Sequence, residues 1–120
     1  SDVCSSDLSG KIEVIIISTR KGNWSLPKGN LVKEIGPRRT AQLEAYEDAG
    51  IEGILHPRRM TCSLNHTCIY LYPLAVTKVF EDWPESKRRK RKWISLAKGS
   101  RILSRKEMRK VLRNFLPPKT

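Results

Sequence analysis

Residues 26–51 read LPKGNLVKEIGPRRTAQLEAYEDAGI, and the fold prediction starts from them. Gly36-Pro37 opens a helix, because proline suits the first helical position and glycine is tolerated just before it. Gly50 closes the helix, since a left-handed C-terminal cap costs glycine little. Between these ends, small residues at four-residue spacing let the helix lie close against a sheet: Ala41, Ala45 and Ala49.

The same helix carries three acids, Glu44, Glu47 and Asp48, at spacing i, i+3 and i+4. All three carboxylates therefore leave the helix on one face, which we call the acid face. Carboxylates packed this closely repel one another unless a positive group lies among them. Mg²⁺ favours a few carboxylates together with substrate phosphates, so this face is a candidate metal site. For a helix taken alone, a solvated acidic face is the commoner explanation.

The acids do not stand alone, because the spacing of residues 29–51 resembles the Nudix box, G-x5-E-x7-R-E-U-x-E-E-x-G-U, where U is aliphatic. The preceding residues 24–29, WSLPKG, are similar to the lead-in common in that family. This chain departs from the box at three positions: Ile35 replaces the first Glu, Leu43 the Arg, and Asp48 the last Glu. The family's Arg helps to orient the acids, so Leu43 indicates weakened rather than abolished catalysis.

The resemblance implies an α+β chain with the Nudix fold, an α/β/α sandwich around a mixed β-sheet. It implies Mg²⁺, with Mn²⁺ as the alternative, held by Glu44, Glu47, Asp48 and the main-chain carbonyl of Gly29. Glu47 is the first choice for general base or essential ligand, and Glu44 is the second catalytic candidate. Residues 77–83, TKVFEDW, and the basic run before Trp93 resemble the diphosphoinositol polyphosphate phosphohydrolase branch of the family.

Composition places the charge at one end of the chain. Residues 86–120 hold fourteen Lys/Arg and one acid, whereas residues 1–85 hold ten Lys/Arg and eleven acids. Such a block attracts polyanions, so we expect a phosphate-rich substrate, with RNA as a further candidate partner. Five residues are predicted to bind substrate: Arg20, Lys28, Lys90, Arg91 and Lys92. For Arg20, a solvated loop charge is an equal alternative.

The chain is long enough for one domain, predicted to span residues 11–116, with a tail at 117–120. Residues 1–10 are predicted to be a non-native or disordered leader, with a native N-terminal strand missing. We find no apolar run long enough to span a membrane and no signal-peptide pattern. Three cysteines without a secretory signal predict reduced thiols and a cytoplasmic location. The residues do not predict an oligomeric state.

Strands are predicted at 11–18, 24–26, 51–60, 61–63, 67–80 and from Trp93, and a closing helix at 96–116 with Ser104 as its N-cap. The function predicted from all of this is Mg²⁺-dependent hydrolysis of a diphosphate linkage in an inositol pyrophosphate or a dinucleoside polyphosphate. Two alternatives stay open: a weak or inactive polyanion- or RNA-binding module, and an RNA-end pyrophosphohydrolase.

Overall fold

The computed structural model describes residues 2–6, 12–28 and 33–115. This part of the chain forms eight strands and three helices: β1 Asp2–Ser6, β2 Ile12–Ser18, β3 Trp24–Ser25, α1 Gly36–Ala49, β4 Ile51–Leu55, β5 Met60–Leu64, β6 Thr67–Leu71, β7 Pro73–Val79, β8 Arg91–Ser95, α2 Leu96–Ile102 and α3 Lys106–Asn114. None of the described helices has the length and apolar character that crossing a bilayer requires.

Six of the strands form one mixed sheet around β2. Val14 of β2 pairs with Cys4 of β1 and with Ile94 of β8, so these two strands lie along opposite edges of β2. Strand β7 continues the sheet in parallel with β1, and β4 closes it in antiparallel pairing with β7. Strands β5 and β6 form a separate antiparallel hairpin.

Alternate residues of β2 face two different clusters of apolar side chains, because successive side chains of a strand point to opposite faces. Ile15 and Ile17 pack in the cluster that contains the alanines of α1. Val14 and Ile16 pack in the cluster that contains the apolar stripe of α3. Helix α1 therefore covers one face of the sheet and α2 and α3 the other, which is the α/β/α arrangement that the resemblance implies.

Helix α1 has the predicted ends. It begins at Gly36 with proline in the first turn, and Gly50 caps its C-terminus at φ 65°, donating its backbone N–H toward the carbonyls of Ala45 and Tyr46. Ala41, Ala45 and Ala49 are buried against the sheet. Packing of these alanines on the sheet thus fixes the rotation of α1 about its own axis.

The prediction of one continuous strand over residues 51–60 is wrong, because the strand is interrupted in the middle. Strand β4 ends at Leu55, and the backbone turns at His56, whose imidazole Nδ1 accepts a hydrogen bond of 3.1 Å from the Arg58 backbone N–H. The long strand predicted at 67–80 is also divided, with β7 starting at Pro73. Proline has no N–H for a central ladder, so it suits the first residue of a strand.

The closing helix is two helices rather than one. Ser95 caps α2, its hydroxyl accepting a 3.1 Å hydrogen bond from the Lys98 N–H. The prediction that Ser104 is the N-cap of α3 is wrong. Its hydroxyl donates instead to the Trp24 carbonyl at 3.2 Å. The N-cap is Arg105, whose side chain makes no capping hydrogen bond.

The N-terminal residues differ from the expected disordered leader. Asp2–Ser6 form β1, which lies between β2 and β7 in the sheet. Backbone pairing explains this, since the ladder bonds of a strand are made by main-chain groups that every residue except proline supplies. The predicted non-native origin stays a prediction, and residues 7–11 and 116–120 lie outside the described residues.

Candidate active site

The acid face of α1 lies beside the end of β2. Asp48 is buried, while Glu44 and Glu47 are half-buried. Because the alanine face binds the helix to the sheet, the carboxylates at positions 44, 47 and 48 share one flank of α1. The common flank follows from helical spacing, and the roles predicted for the three acids stay predictions.

Burial and mutual repulsion both act on these acids. The pKa of Glu44 is raised, first by burial and then by the negative charges of Asp48 and Glu47. Burial also raises the pKa of Asp48, with smaller contributions from Glu85 and Glu47, while the Arg89 guanidinium acts in the opposite direction. Both carboxylates are therefore harder to ionise than a solvated acid, mainly because they are buried and partly because they lie near other acids.

Arg89 is the basic residue that pairs with this face, and sequence reasoning did not single it out. Its Nε lies 3.7 Å from Oδ1 of Asp48. A second guanidinium nitrogen donates a 3.0 Å hydrogen bond to the carbonyl of Ser18, the last residue of β2. Two hydrogen bonds hold the Arg89 segment against the same strand end: the Ser18 backbone N–H donates to the Lys90 carbonyl at 2.9 Å, and the Lys90 N–H donates to the Ser18 hydroxyl oxygen at 2.8 Å.

Three arginines and one acid line a cavity of about 480 Å³ at this end of β2: Arg20, Arg88, Arg89 and Glu85. Glu85 also comes close to α1, since its backbone N–H donates to the Glu47 carbonyl at 3.1 Å. The predicted contact residue Arg20 is thus placed with two arginines that the prediction did not include. We call this the arginine cavity.

The basic run 90–92 does not form one patch, contrary to the prediction. Lys90 is exposed, Arg91 lies on the α1 side of the sheet, and the Nζ of Lys92 lies 4.4 Å from the ring centre of Trp24 on the other side. Strand alternation is the cause, because these residues enter β8. Lys92 therefore does not lie with the acid face.

Arg91 is committed to the end of α1. Its guanidinium donates to the carbonyls of Ala49, Gly50 and Phe80, and it stacks on the ring of Trp83 at 3.9 Å. The indole N–H of Trp83 donates to the Asp48 carbonyl at 3.1 Å. These contacts give Arg91 a structural role behind the acid face instead of the predicted contact with substrate.

Two further predicted residues lie at the edge of the described chain. Lys28 is exposed, and Gly29, whose carbonyl the resemblance makes a metal ligand, lies outside the described residues. Within the described part, no three His, Cys, Asp or Glu side chains are grouped so as to hold a metal ion. The donor set still suits Mg²⁺, which is usually held by one or two carboxylates plus substrate phosphates rather than by a complete protein cage.

The two apolar departures from the box share one cleft. Ile35 and Leu43 line a cavity of about 560 Å³ on the flank of α1 that faces β4, together with Tyr46 and Gly53. Both side chains are partly exposed, at 39% and 40%. The cleft does not include the acids, so the replacements leave the three carboxylates themselves intact.

The raised pKa of Glu44, which is due to burial first and to the neighbouring acids second, predicts an unusual pH dependence. Because the pKa of Glu44 is raised on folding, the folded chain binds more protons than the unfolded chain just above pH 4.5. The free energy of unfolding of the metal-free protein should then fall as pH rises through that window. We expect Glu44→Gln to raise Tm at neutral pH in EDTA and to flatten this pH dependence, as measured by thermal unfolding. Glu34→Gln, outside the acid face, should change neither, and a lower Tm for Glu44→Gln would contradict the account.

Comparison with known proteins finds relatives along most of the chain. No family model matches. Nudix hydrolase 21, chloroplastic, of Arabidopsis thaliana is 36% identical over 115 residues, covering 89% of this chain and 58% of the relative. Diphosphoinositol polyphosphate phosphohydrolase 2 of Homo sapiens is 33% identical over 98 residues, covering 76% of this chain and 54% of the relative. The chain thus spans little more than half the length of these relatives.

Solved structures share the fold. The Ap4A hydrolase of C. elegans, solved as a binary complex, superposes with a TM-score of 0.67 at 21% identity, covering 95% of this chain and 90% of that one. A chain from a structural study of MutT from Aliivibrio salmonicida and Vibrio cholerae superposes with a TM-score of 0.66 at 13% identity, covering 93% of this chain and 92% of that one. The fold that the resemblance implies is therefore confirmed.

Proposed function

The chain belongs to the Nudix hydrolase family, and from this premise we propose that it hydrolyses a diphosphate linkage in a phosphate-rich substrate. The observation that carries the proposal is the placement of the α1 acid face beside the arginine cavity, with Arg89 touching both. Carboxylates suit a divalent cation, and guanidinium groups suit phosphate oxygens.

The acid face would hold the cation through one or two of its carboxylates, from among Glu44, Glu47 and Asp48, together with substrate phosphates. The Gly29 carbonyl is the further ligand that the resemblance implies. A bound Mg²⁺ supplies charge neutralisation of the diphosphate and lowers the pKa of a water molecule. The raised pKa values of Glu44 and Asp48 agree with this assignment. Burial is the main cause of both, with neighbouring acids adding to it, and a divalent cation stabilises the charged form of a buried carboxylate.

In the reaction, the oxygen of a water molecule bonds to one phosphorus atom while the bridging P–O bond breaks. Glu47 accepts the proton of the attacking water, and the bridging oxygen leaves on the second phosphate. Arg20, Arg88 and Arg89 bind the substrate's phosphates and orient the anhydride for in-line attack. They also offset the charge that develops on the phosphate oxygens.

The arginine cavity favours a substrate with several phosphates. Three guanidinium groups match an inositol pyrophosphate or a dinucleoside polyphosphate better than a lightly charged nucleotide sugar. The names of two relatives agree with these classes, one being a diphosphoinositol polyphosphate phosphohydrolase and the other an Ap4A hydrolase. A cytoplasmic location belongs to the same proposal and rests on the expected reduced thiols, Cys62 and Cys68.

Arginine and lysine substitutions separate the cavity from the rest of the basic run. We expect Arg88→Gln to raise KM about 10-fold, since a charge-assisted contact to phosphate contributes about 1.5 kcal/mol or more. Lys92→Gln, which removes the same charge on the opposite face of the sheet, should leave KM near the wild-type value. Steady-state kinetics on one phosphate-rich substrate checks both. Equal effects of the two variants would place the substrate elsewhere.

A panel assay tests the proposed substrate class. Phosphate or nucleotide release with Mg²⁺ is measured on inositol pyrophosphates, diadenosine polyphosphates and nucleoside diphosphate derivatives. We expect turnover of the first two groups and the lowest kcat/KM for the third. Preferred turnover of the lightly charged derivatives would contradict the role given to the arginine cavity.

A second candidate function, polyanion or RNA binding, is favoured by a separate basic surface. Five exposed cations lie on α2 and α3, across the sheet from the acid face: Lys98, Arg101, Lys106, Lys110 and Arg113. Binding of RNA there, alone or with hydrolysis of an RNA 5′ end, should weaken steeply with salt because counterions are released. RNA binding measured between low and high salt, with Lys106→Gln/Lys110→Gln as the control, tests this alternative.

A further inference from the structure

We propose that Arg89 is a positioning residue shared between Asp48 and a bound anion, so that cation binding at the acid face and anion binding in the arginine cavity favour each other. The inference rests on the proposed function and extends it, since it makes the two halves of the site interdependent. Its basis is the position of the Arg89 guanidinium, which forms an ion pair with Asp48 and also lines the arginine cavity.

The Arg89–Asp48 pair is close enough for electrostatic attraction but too far apart for a hydrogen bond. At 3.7 Å, Nε and Oδ1 are an ion pair beyond normal hydrogen-bond length. The guanidinium is anchored by its hydrogen bond to the Ser18 carbonyl, and Arg89 also lines the arginine cavity. A guanidinium has five N–H donors, so it can keep the Ser18 contact while its other N–H groups change partner.

Competition for Arg89 follows from this placement. Without an anion, Arg89 lies against Asp48 and opposes a cation there, because it occupies the carboxylate and repels positive charge. When a phosphate-like anion binds in the cavity, a charge-assisted hydrogen bond to it draws the guanidinium from Asp48. Asp48 is then available to a cation, and by linkage a bound cation strengthens anion binding by the same factor.

Position 43 does not supply the cation that pairs with the acid face. Leu43 carries no charge and lies in the cleft facing β4. Among the described residues, the ion pair with the acid face is made by Arg89, in the segment before β8. Arg88 offers a matched comparison, because it lines the same cavity without an ion pair to Asp48 among the described contacts.

The test measures Mn²⁺ affinity from the EPR signal of free Mn²⁺, with and without sulfate as the anion probe. In the wild-type chain we expect sulfate to raise the affinity about 5-fold, the lower end of typical coupling between sites. Arg89→Gln should bind Mn²⁺ more tightly than wild type without sulfate and lose most of the sulfate effect. Arg88→Gln, with the same change in charge, should keep the sulfate effect at higher sulfate concentration.

Three results would overturn the inference. Equal sulfate effects in folded Arg88→Gln and Arg89→Gln would remove the special role of Arg89 while leaving the hydrolase proposal intact. Absence of Mn²⁺ binding by the folded wild-type chain would overturn both. Should Arg89→Gln not fold, Arg89→Lys replaces it: a single ammonium cannot serve both partners as the guanidinium does, so an undiminished sulfate effect in Arg89→Lys would also count against the inference.

Discussion

Glu47→Gln is expected to lower kcat by about 10³-fold, because general acid–base catalysis by one positioned side chain contributes roughly 10²- to 10⁴-fold. Glutamine keeps the shape of the side chain but neither accepts the proton of the attacking water nor balances a cation. Glu44→Gln should cost less, since the expected role of Glu44 is mainly to hold the cation. Single-turnover and steady-state rates with saturating Mg²⁺ separate these losses from weaker binding.

The matched control is Glu34→Gln, which makes the same chemical change in a residue that precedes α1 and lies outside the acid face. It should leave kcat within about 2-fold of wild type, within the small range typical of surface substitutions. If Glu47→Gln kept wild-type turnover in a folded protein, the acid face would not be the catalytic centre. A loss of similar size in both variants would indicate general destabilisation instead.

Gly50→Ala is expected to lower the free energy of unfolding by about 2–5 kcal/mol, the sum of a backbone cost and a packing cost. At φ 65°, the left-handed conformation costs an L-residue about 1–2 kcal/mol. The added Cβ would also lie 2.6 Å from a guanidinium nitrogen of Arg91 and 2.9 Å from the Trp83 side chain. Overpacking of this kind costs about 1–3 kcal/mol.

Gly36→Ala separates these two causes. Gly36 has φ 82° but nothing within 4 Å of an added Cβ, so only the backbone cost applies there. Urea unfolding should give a smaller loss for Gly36→Ala than for Gly50→Ala, and only the latter should disturb the fluorescence of Trp83. Equal losses would show that the Trp83–Arg91 contact does not constrain the end of α1.

Local patterns predicted helix α1 and its acid face because both depend on helical spacing. The alanines, the capping Gly50 and the carboxylates are all within one element, so their relation follows from 3.6 residues per turn. The division of the long strand at Pro73 was signalled by the residue itself, since proline does not donate to a ladder. The separation of β5 and β6 into their own hairpin depends in addition on packing against α3, which the sequence does not show.

Arg89 was missed because its position depends on contacts between distant parts of the chain. Hydrogen bonds to Ser18, 71 and 72 residues away in sequence, place the loop before β8 beside α1. Within that basic run, sequence alone does not assign the side of the sheet for each residue, and Arg91 and Lys92 were grouped with Lys90 for that reason. Knowing where β8 begins would have separated them by strand alternation.

The most direct test of the central claim is the rate of phosphate release by the folded wild-type chain from an inositol pyrophosphate or diadenosine polyphosphate, measured against Mg²⁺ concentration and in EDTA. The account predicts turnover that saturates with Mg²⁺ and is lost in EDTA. Turnover that is unchanged in EDTA, or its absence at every Mg²⁺ concentration, would contradict it.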